Sequence, residues 1–272
     1  MTASSTAAFA TARAEGRAAL VGYLPAGFPD VPGSIEAMKT MVDAGCDVIE
    51  IGLPYSDPVM DGPTIQAAAQ QALEGGVRTQ DVLRAVEAVA ATGTPTLIMT
   101  YWNPVERYGV ERFARDLANA GGAGLITPDL TPDSGGAWIA AADAHDLDKV
   151  FLVAPSSTDA RLEMTTRACR GFVYATAVMG VTGARASTSD LAGPLVARTK
   201  ATVAGWGGDL PVGVGLGVSN GDQAAEVAGY ADAVIVGSAF VRPLLDAGSD
   251  RAAGLAALRA LTEDLARGVR AG

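Results

Sequence analysis

Residues 46–66 read Cys46-Asp-Val-Ile-Glu50-Ile-Gly-Leu53-Pro-Tyr-Ser-Asp57-Pro-Val-Met-Asp61-Gly-Pro-Thr64-Ile-Gln66. The first eight residues are a short apolar run that reads as a buried strand. The Pro/Ser/Asp/Gly stretch behind it is a loop, and a helix is expected from about Thr64. Glu50 stands inside the strand, where a carboxylate is costly to bury unless something uses it. Asp61, on the loop beyond the strand's carboxyl end, can face Glu50 across a pocket. Strand, loop with chemistry, then helix: this is one unit of an α/β fold, and the rest of the chain repeats it.

Strands are predicted at 19–24, 48–53, 96–100, 124–127, 150–153, 172–177, 212–215 and 233–237. Helical segments alternate with them at 34–44, 80–91, 110–120, 133–144, 158–168, 189–204, 221–228 and 252–268. Ser34 and Ser189 are candidate caps at helix starts, and Gly45, Gly93 and Gly121 candidate stops. Extra helices are expected at 6–14, before the first strand, at 64–73, after the second, and at 239–245, after the eighth. Eight strands in strict alternation with helices predict an α/β fold of the (β/α)8 (TIM) barrel type. No linker divides residues 1–272, so a single domain is expected, and the length suits a barrel, for which about 250 residues is typical. A doubly wound open sheet is the alternative, because strand count does not show closure.

Composition narrows the function. Hydrophobic residues make up 49 % and charged residues 18 % of the 272 residues, and the formal net charge is −10. Such an acidic chain without a basic run is a poor partner for nucleic acid or an anionic membrane. Its apolar runs fall short of the roughly 18 residues that a spanning helix needs. The first residues lack the basic-then-apolar layout of a signal peptide, so a cytoplasmic location is expected. Cys46 and Cys169 offer no disulfide framework and read as small buried residues.

Barrel enzymes place their chemistry at the carboxyl ends of the strands. Those ends carry Tyr23, Glu50, Tyr101 with Asn103, Asp129, Ser156, Tyr174, Gly217, and Gly237 with Ser238. The three lysines are elsewhere: Lys39 and Lys200 on helices, and Lys149 opening a strand at the opposite face. A Schiff-base aldolase therefore has no lysine to use. His145, the sole histidine, sits at a helix end near Asp146 and Asp148, where a solvated histidine needs no function. With neither a histidine cluster nor a cysteine pair, no metal site is expected.

What remains is carboxylate and tyrosine chemistry with a grip on phosphate. Gly213-Val-Gly215-Leu-Gly217-Val-Ser219 follows the seventh strand, and Val236-Gly237-Ser238-Ala-Phe240 the eighth. In barrels these two loops, with the N-terminus of a short extra helix, form a recurrent phosphate site. The stretch from Met179 to Thr188, rich in small residues, suits a lid over substrate or an ordinary surface loop.

The opening motif closely resembles the signature of the tryptophan synthase alpha chain family. So do Met99-Thr-Tyr-Trp-Asn-Pro104, Pro128-Asp129, Phe151-Leu-Val-Ala-Pro-Ser-Ser-Thr158, Gly180-Val-Thr-Gly-Ala184 and Val236-Gly-Ser238. The resemblance runs from about Leu20 to Leu244. It implies cleavage of indole-3-glycerol phosphate to indole and glyceraldehyde 3-phosphate, with Glu50 as the acid–base group. Asp61 would face the indole nitrogen, and Tyr174 would stand near the glutamate. Tyr23, Met99, Tyr101 and Leu216 would wall the indole pocket. Thr182 and Gly183 would belong to the lid, and Gly183, Gly217, Gly237 and Ser238 would contact phosphate.

The resemblance also implies a beta-chain partner in an α2β2 tetramer, contacted through Pro54, Asp57, Asn103 and Pro132. Pyridoxal phosphate is expected only in that partner, and no cofactor in this chain. The departures from the family pattern are Met60, Tyr55, Thr127-Pro128 and Leu216; both carboxylates are retained. Two rival readings stay open at this stage. One is a Mg²⁺-dependent phosphate-binding barrel enzyme, and the other a subunit that binds ligand and regulates a partner without chemistry of its own.

Overall fold

The structure, a computed structural model, describes residues 4–176 and 188–272. Its strands are β1 (Ala19–Pro25), β2 (Val48–Gly52), β3 (Thr96–Met99), β4 (Gly124–Thr127), β5 (Asp148–Val153), β6 (Val173–Thr176), β7 (Val212–Gly215) and β8 (Ala233–Val236). They are parallel and close into a barrel in chain order. Closure is visible at the seam, where Val21 of β1 pairs with Val48 of β2 on one side and Ile235 of β8 on the other. The (β/α)8 barrel is therefore the architecture, and the open doubly wound sheet is not.

Successive side chains of a strand point to opposite faces, and the two faces here have different partners. Val21, Val48, Leu97, Ile126, Val150 and Ile235 pack together inside the barrel. Ile49, Ile51, Ile98, Leu125 and Val234 point outward into the layer shared with the helices. Both faces are dry, which is why these strands read as continuous apolar runs instead of alternating ones.

Helix α1 (Ser5–Ala14) closes the N-terminal end of the barrel. Phe9 and Ala12 join the inner cluster, and the Phe9 ring lies 5.1 Å from that of Phe172. The backbone N–H and the hydroxyl of Ser5 both donate to Asp148, the buried first residue of β5, whose other oxygen lies 3.4 Å from Arg170. Around the barrel run α2 (Val31–Asp43), α3 (Pro63–Glu74), α4 (Thr79–Ala90), α5 (Trp102–Tyr108), α6 (Val110–Asn119) and α7 (Gly136–Ala144). They are followed by α8 (Asp159–Ala168), α9 (Thr188–Gly205), α10 (Gly221–Ala228), α11 (Ser238–Ala247) and α12 (Arg251–Gly268). The extra helices expected before β1, after β2 and after β8 are α1, α3 and α11.

Four local expectations need correction. Helix α2 begins at Val31, capped by Asp30, whose Oδ1 accepts from Gly33 N at 2.6 Å; Pro32 fits in its first turn. Ser34 is thus inside the helix, where its hydroxyl donates to Val31 O and accepts from Gly27 N. Helix α5 was not foreseen, and α7 starts at Gly136, three residues after the expected position. His145 is not simply solvated: its Nε2 lies 2.7 Å from Glu111 Oε1.

Candidate active site

Because β2 alternates, Glu50 points into the barrel while Ile49 and Ile51 point away from it. Leu53 also packs with the outer layer. Its neighbours in sequence therefore do not desolvate Glu50, which is nonetheless fully buried. Neither carboxyl oxygen has a hydrogen-bond partner among the described residues. Burial without compensation disfavours the charged form and pushes the Glu50 carboxyl up to about 8. At neutral pH the group carries its proton.

Two tyrosines feel its charge. Tyr23 stands directly beside Glu50 in the β1–β2 register. Burial raises the Tyr23 hydroxyl well above its ordinary range, and the charges of Asp61 and Glu50, with Tyr101 and Tyr174, push the same way. Tyr174, on β6, is likewise raised by burial and by Glu50. These mutual effects place Glu50, Asp61, Tyr23, Tyr101 and Tyr174 around one space at the carboxyl end of the barrel. Both tyrosines stay neutral at any physiological pH and serve as hydroxyl groups only.

Asp61 is carried by the irregular loop 53–62 and is half-buried. Burial raises its carboxyl, and the Tyr101 hydroxyl pulls it back down. The outcome is two carboxyl groups in different settings, one dry and unpartnered, one half-solvated beside a donor. Such asymmetry separates an acid from an ionised partner. Met99, half-buried at the end of β3, borders the inner cluster, and Leu216 packs at the rim beyond β7.

The glycine loops lie across the mouth. Gly217 has φ +81° and nothing within 4 Å of where a Cβ would be, so its backbone faces open space. Gly237 precedes the first residue of α11, the exposed Ser238. A Cβ on Gly237 would come within 3.5 Å of the Tyr23 ring, so this helix start adjoins the tyrosine and carboxyl cluster. Arg242 of α11 donates to Thr64 Oγ1 at 2.7 Å, tying α11 to α3. A helix N-terminus behind a glycine suits a phosphate without any cationic side chain. Thr182 and Gly183, with the rest of residues 177–187, lie outside the described residues.

The expected partner-facing residues spread over one rim. Asp57 is exposed and accepts from Ser56 Oγ, and Asn103 is exposed and donates to Tyr55 Oη at 3.1 Å. Pro132 is half-buried and Pro54 buried. Sequence reading missed Val59, which is 79 % exposed next to Met60 at 50 %. The available signal was two large apolar residues inside an otherwise Pro/Ser/Asp/Gly loop. Among the described residues, no group of three or more His, Cys, Asp or Glu side chains is gathered as a metal site.

Known proteins match the chain over nearly its whole length. The family profile described as "Tryptophan synthase alpha chain" matches residues 9–270. The tryptophan synthase alpha chain of Salinispora arenicola is 66 % identical over 263 residues, covering 97 % of this chain and 96 % of that protein. That of Nocardia farcinica is 61 % identical over 262 residues, covering 96 % and 94 %. A solved structure of Mycobacterium tuberculosis tryptophan synthase superposes with a TM-score of 0.89 at 57 % identity, covering 99 % of this chain and 100 % of that one. Matched by the family profile over residues 9–270 and by relatives 66 % and 61 % identical on the same barrel, the chain belongs to the tryptophan synthase alpha chain family.

Proposed function

We propose that the chain is a carbon–carbon lyase that cleaves indole-3-glycerol phosphate to indole and glyceraldehyde 3-phosphate. The observation that carries this reading is Glu50, fully buried, without a hydrogen-bond partner among the described residues and raised to about 8. A carboxyl group protonated at neutral pH at the mouth of a barrel is a ready general acid.

Glu50 gives its proton to indole C3, which turns the ring into an indolenine-like cation. Asp61, ionised, stabilises the positive charge at the ring nitrogen. The bond from C3 to the glycerol carbon then breaks, and its electron pair returns to the ring. The hydroxyl on that carbon loses its proton to the now ionised Glu50 as the aldehyde forms, restoring the acid for the next turnover. Phosphate held at Gly217, Gly237 and Ser238 fixes the far end of the substrate, so the breaking bond lies between the carboxyl groups. Thr182 and Gly183 are assigned to the lid over it, with Gly183 also reaching the phosphate, and Tyr23, Met99, Tyr101 and Leu216 to the wall of the indole pocket.

Indole is small and apolar, and a partner that receives it directly prevents its escape. We assign that role to a pyridoxal-phosphate beta chain in an α2β2 tetramer, docked through Pro54, Asp57, Asn103 and Pro132. The exposed Val59 and Met60 on the same rim support an apolar contact there. No helix among the described residues is long and apolar enough to cross a membrane, and the proposed setting is the cytoplasm.

The test is indole release from indole-3-glycerol phosphate by the purified chain, with and without beta chain, in the presence of chelator. Slow release that survives chelator and accelerates with beta chain supports the reading. Release that chelator abolishes, or none under any condition, rejects it.

A further inference from the structure

The loop 53–62 has no regular structure of its own, yet Asp61 must be aimed within a fraction of an ångström to act on a ring nitrogen. Its restraints come from the end of β3. Met60, next to Asp61, donates its backbone N–H to Tyr101 Oη at 2.9 Å. The same hydroxyl holds the Asp61 carboxyl down against the rise that burial causes. Tyr101 is buried and is itself braced from the loop: the Tyr55 ring packs on the Tyr101 ring at 5.3 Å between centroids, tilted by 36°. Tyr55 is fixed at its far end, where its hydroxyl accepts from Asn103 Nδ2 at 3.1 Å. Asn103 is in the first turn of α5, and that turn is anchored by Asp129, which accepts from Trp102 N at 2.9 Å. On the other side of Asp61, Gln66 donates to its carbonyl oxygen at 2.7 Å.

We propose that Tyr101 is a positioning residue for Asp61, clamped by the Tyr55 ring and the Asn103 amide. The Tyr101 hydroxyl holds the backbone one residue before Asp61, so one side chain sets where the loop turns and from where the carboxylate is presented. The hydroxyl of Tyr55 is tied to Asn103, which stops the brace from sliding. The proposal rests on the reading of Asp61 as the partner of the ring nitrogen.

The experiment compares wild type with Tyr101→Phe and Tyr55→Phe, both of which keep their rings. Indole release is measured across pH, and the Asp61 carboxyl is titrated by NMR without substrate. A hydroxyl that donates to a carboxylate favours its ionised form. Tyr101→Phe is therefore expected to raise the Asp61 titration and to move the acid limb of kcat to higher pH. It should lower kcat about tenfold, the equivalent of one lost hydrogen bond to a charge, with KM changed less than kcat. Tyr55→Phe should shift both profiles in the same direction by less. In an Asp61→Asn background, Tyr101→Phe should cause no further loss of kcat.

An unmoved Asp61 titration in Tyr101→Phe overturns the proposal, as does an equal loss of kcat in the Asp61→Asn background. If wild type itself releases no indole, the lyase reading falls. The substrate-free titration still decides whether Tyr101 governs Asp61, so the two failures are told apart.

Discussion

The Tyr23 hydroxyl occupies the space that a side chain on Gly52 would need: a Cβ there would be 2.2 Å from the oxygen. Tyr174 and Gly215 repeat this arrangement across the barrel, with the Tyr174 hydroxyl 2.3 Å from a Cβ on Gly215. In the strand registers Tyr23 faces Glu50 and Tyr174 faces Gly213. Each tyrosine thus leans over the glycine two residues further along the next strand. The two tyrosines, on β1 and β6, are held by the same device, bare backbone under a phenol.

Alanine at Gly52 or Gly215 must therefore displace a tyrosine. Overpacking of this kind costs roughly 1–3 kcal/mol of stability, and a misplacement of about 1 Å near reacting groups costs on the order of 10²-fold in rate. Each variant is expected to fold, to melt lower and to lose most indole release. Steady-state kinetics with thermal melts check this, and a Gly215→Ala variant of normal activity would contradict it.

Glu50→Gln should abolish most turnover, by about 10²- to 10⁴-fold for the loss of a general acid. It should also change how stability depends on pH. In the folded protein the Glu50 carboxyl is raised to about 8, whereas in the unfolded chain it titrates near 4.3. Between these values the folded state binds the extra proton, so wild type loses stability as pH rises, by roughly 1.4 kcal/mol per pH unit from this group. The Gln variant lacks that slope. Urea unfolding at pH 5 and pH 8 should show its advantage over wild type growing with pH.

Asp61→Asn should remove most turnover while leaving the phosphate grip intact, since Gly217, Gly237 and Ser238 belong to other loops. Calorimetry with glycerol phosphate should give nearly wild-type affinity. Near-normal turnover would exclude the aspartate from the chemistry.

Ser5→Ala should leave the chemistry alone and weaken the barrel floor. It strips one donor from the buried Asp148, which costs roughly 1–3 kcal/mol. The expected result is a lower urea midpoint with unchanged kcat at low temperature, read from unfolding curves and initial rates.

Much of this molecule was legible in the residues because its signals are local. Strands buried on both faces show as apolar runs, and Glu50 stood out as a charge inside one of them. The glycine loops announced themselves by composition and by their place after the last two strands. What was hidden depends on partners remote in the chain. Helix α5 carries Pro104 and two aromatic residues in seven positions, which locally suggests a turn. Its start is fixed by Asp129, twenty-seven residues from Trp102. The α2 cap was misplaced because Pro32 and Gly33 resemble loop, although proline is welcome in a first helical turn. The residues that surround Glu50 were hidden too, because neighbours in sequence are opposite in space on a strand.

The seal on the barrel floor has a consequence for the order of assembly. Ser5 binds Asp148 and Phe9 packs on Phe172, so the first helix of the chain rests on groups that a ribosome delivers more than a hundred residues later. Until β5 and Phe172 have emerged, α1 has no seat, and its Phe9 has no ring to meet. The N-terminal helix is thus fastened only after β5 and Phe172 have been made, and the floor of the barrel closes after half of its wall exists.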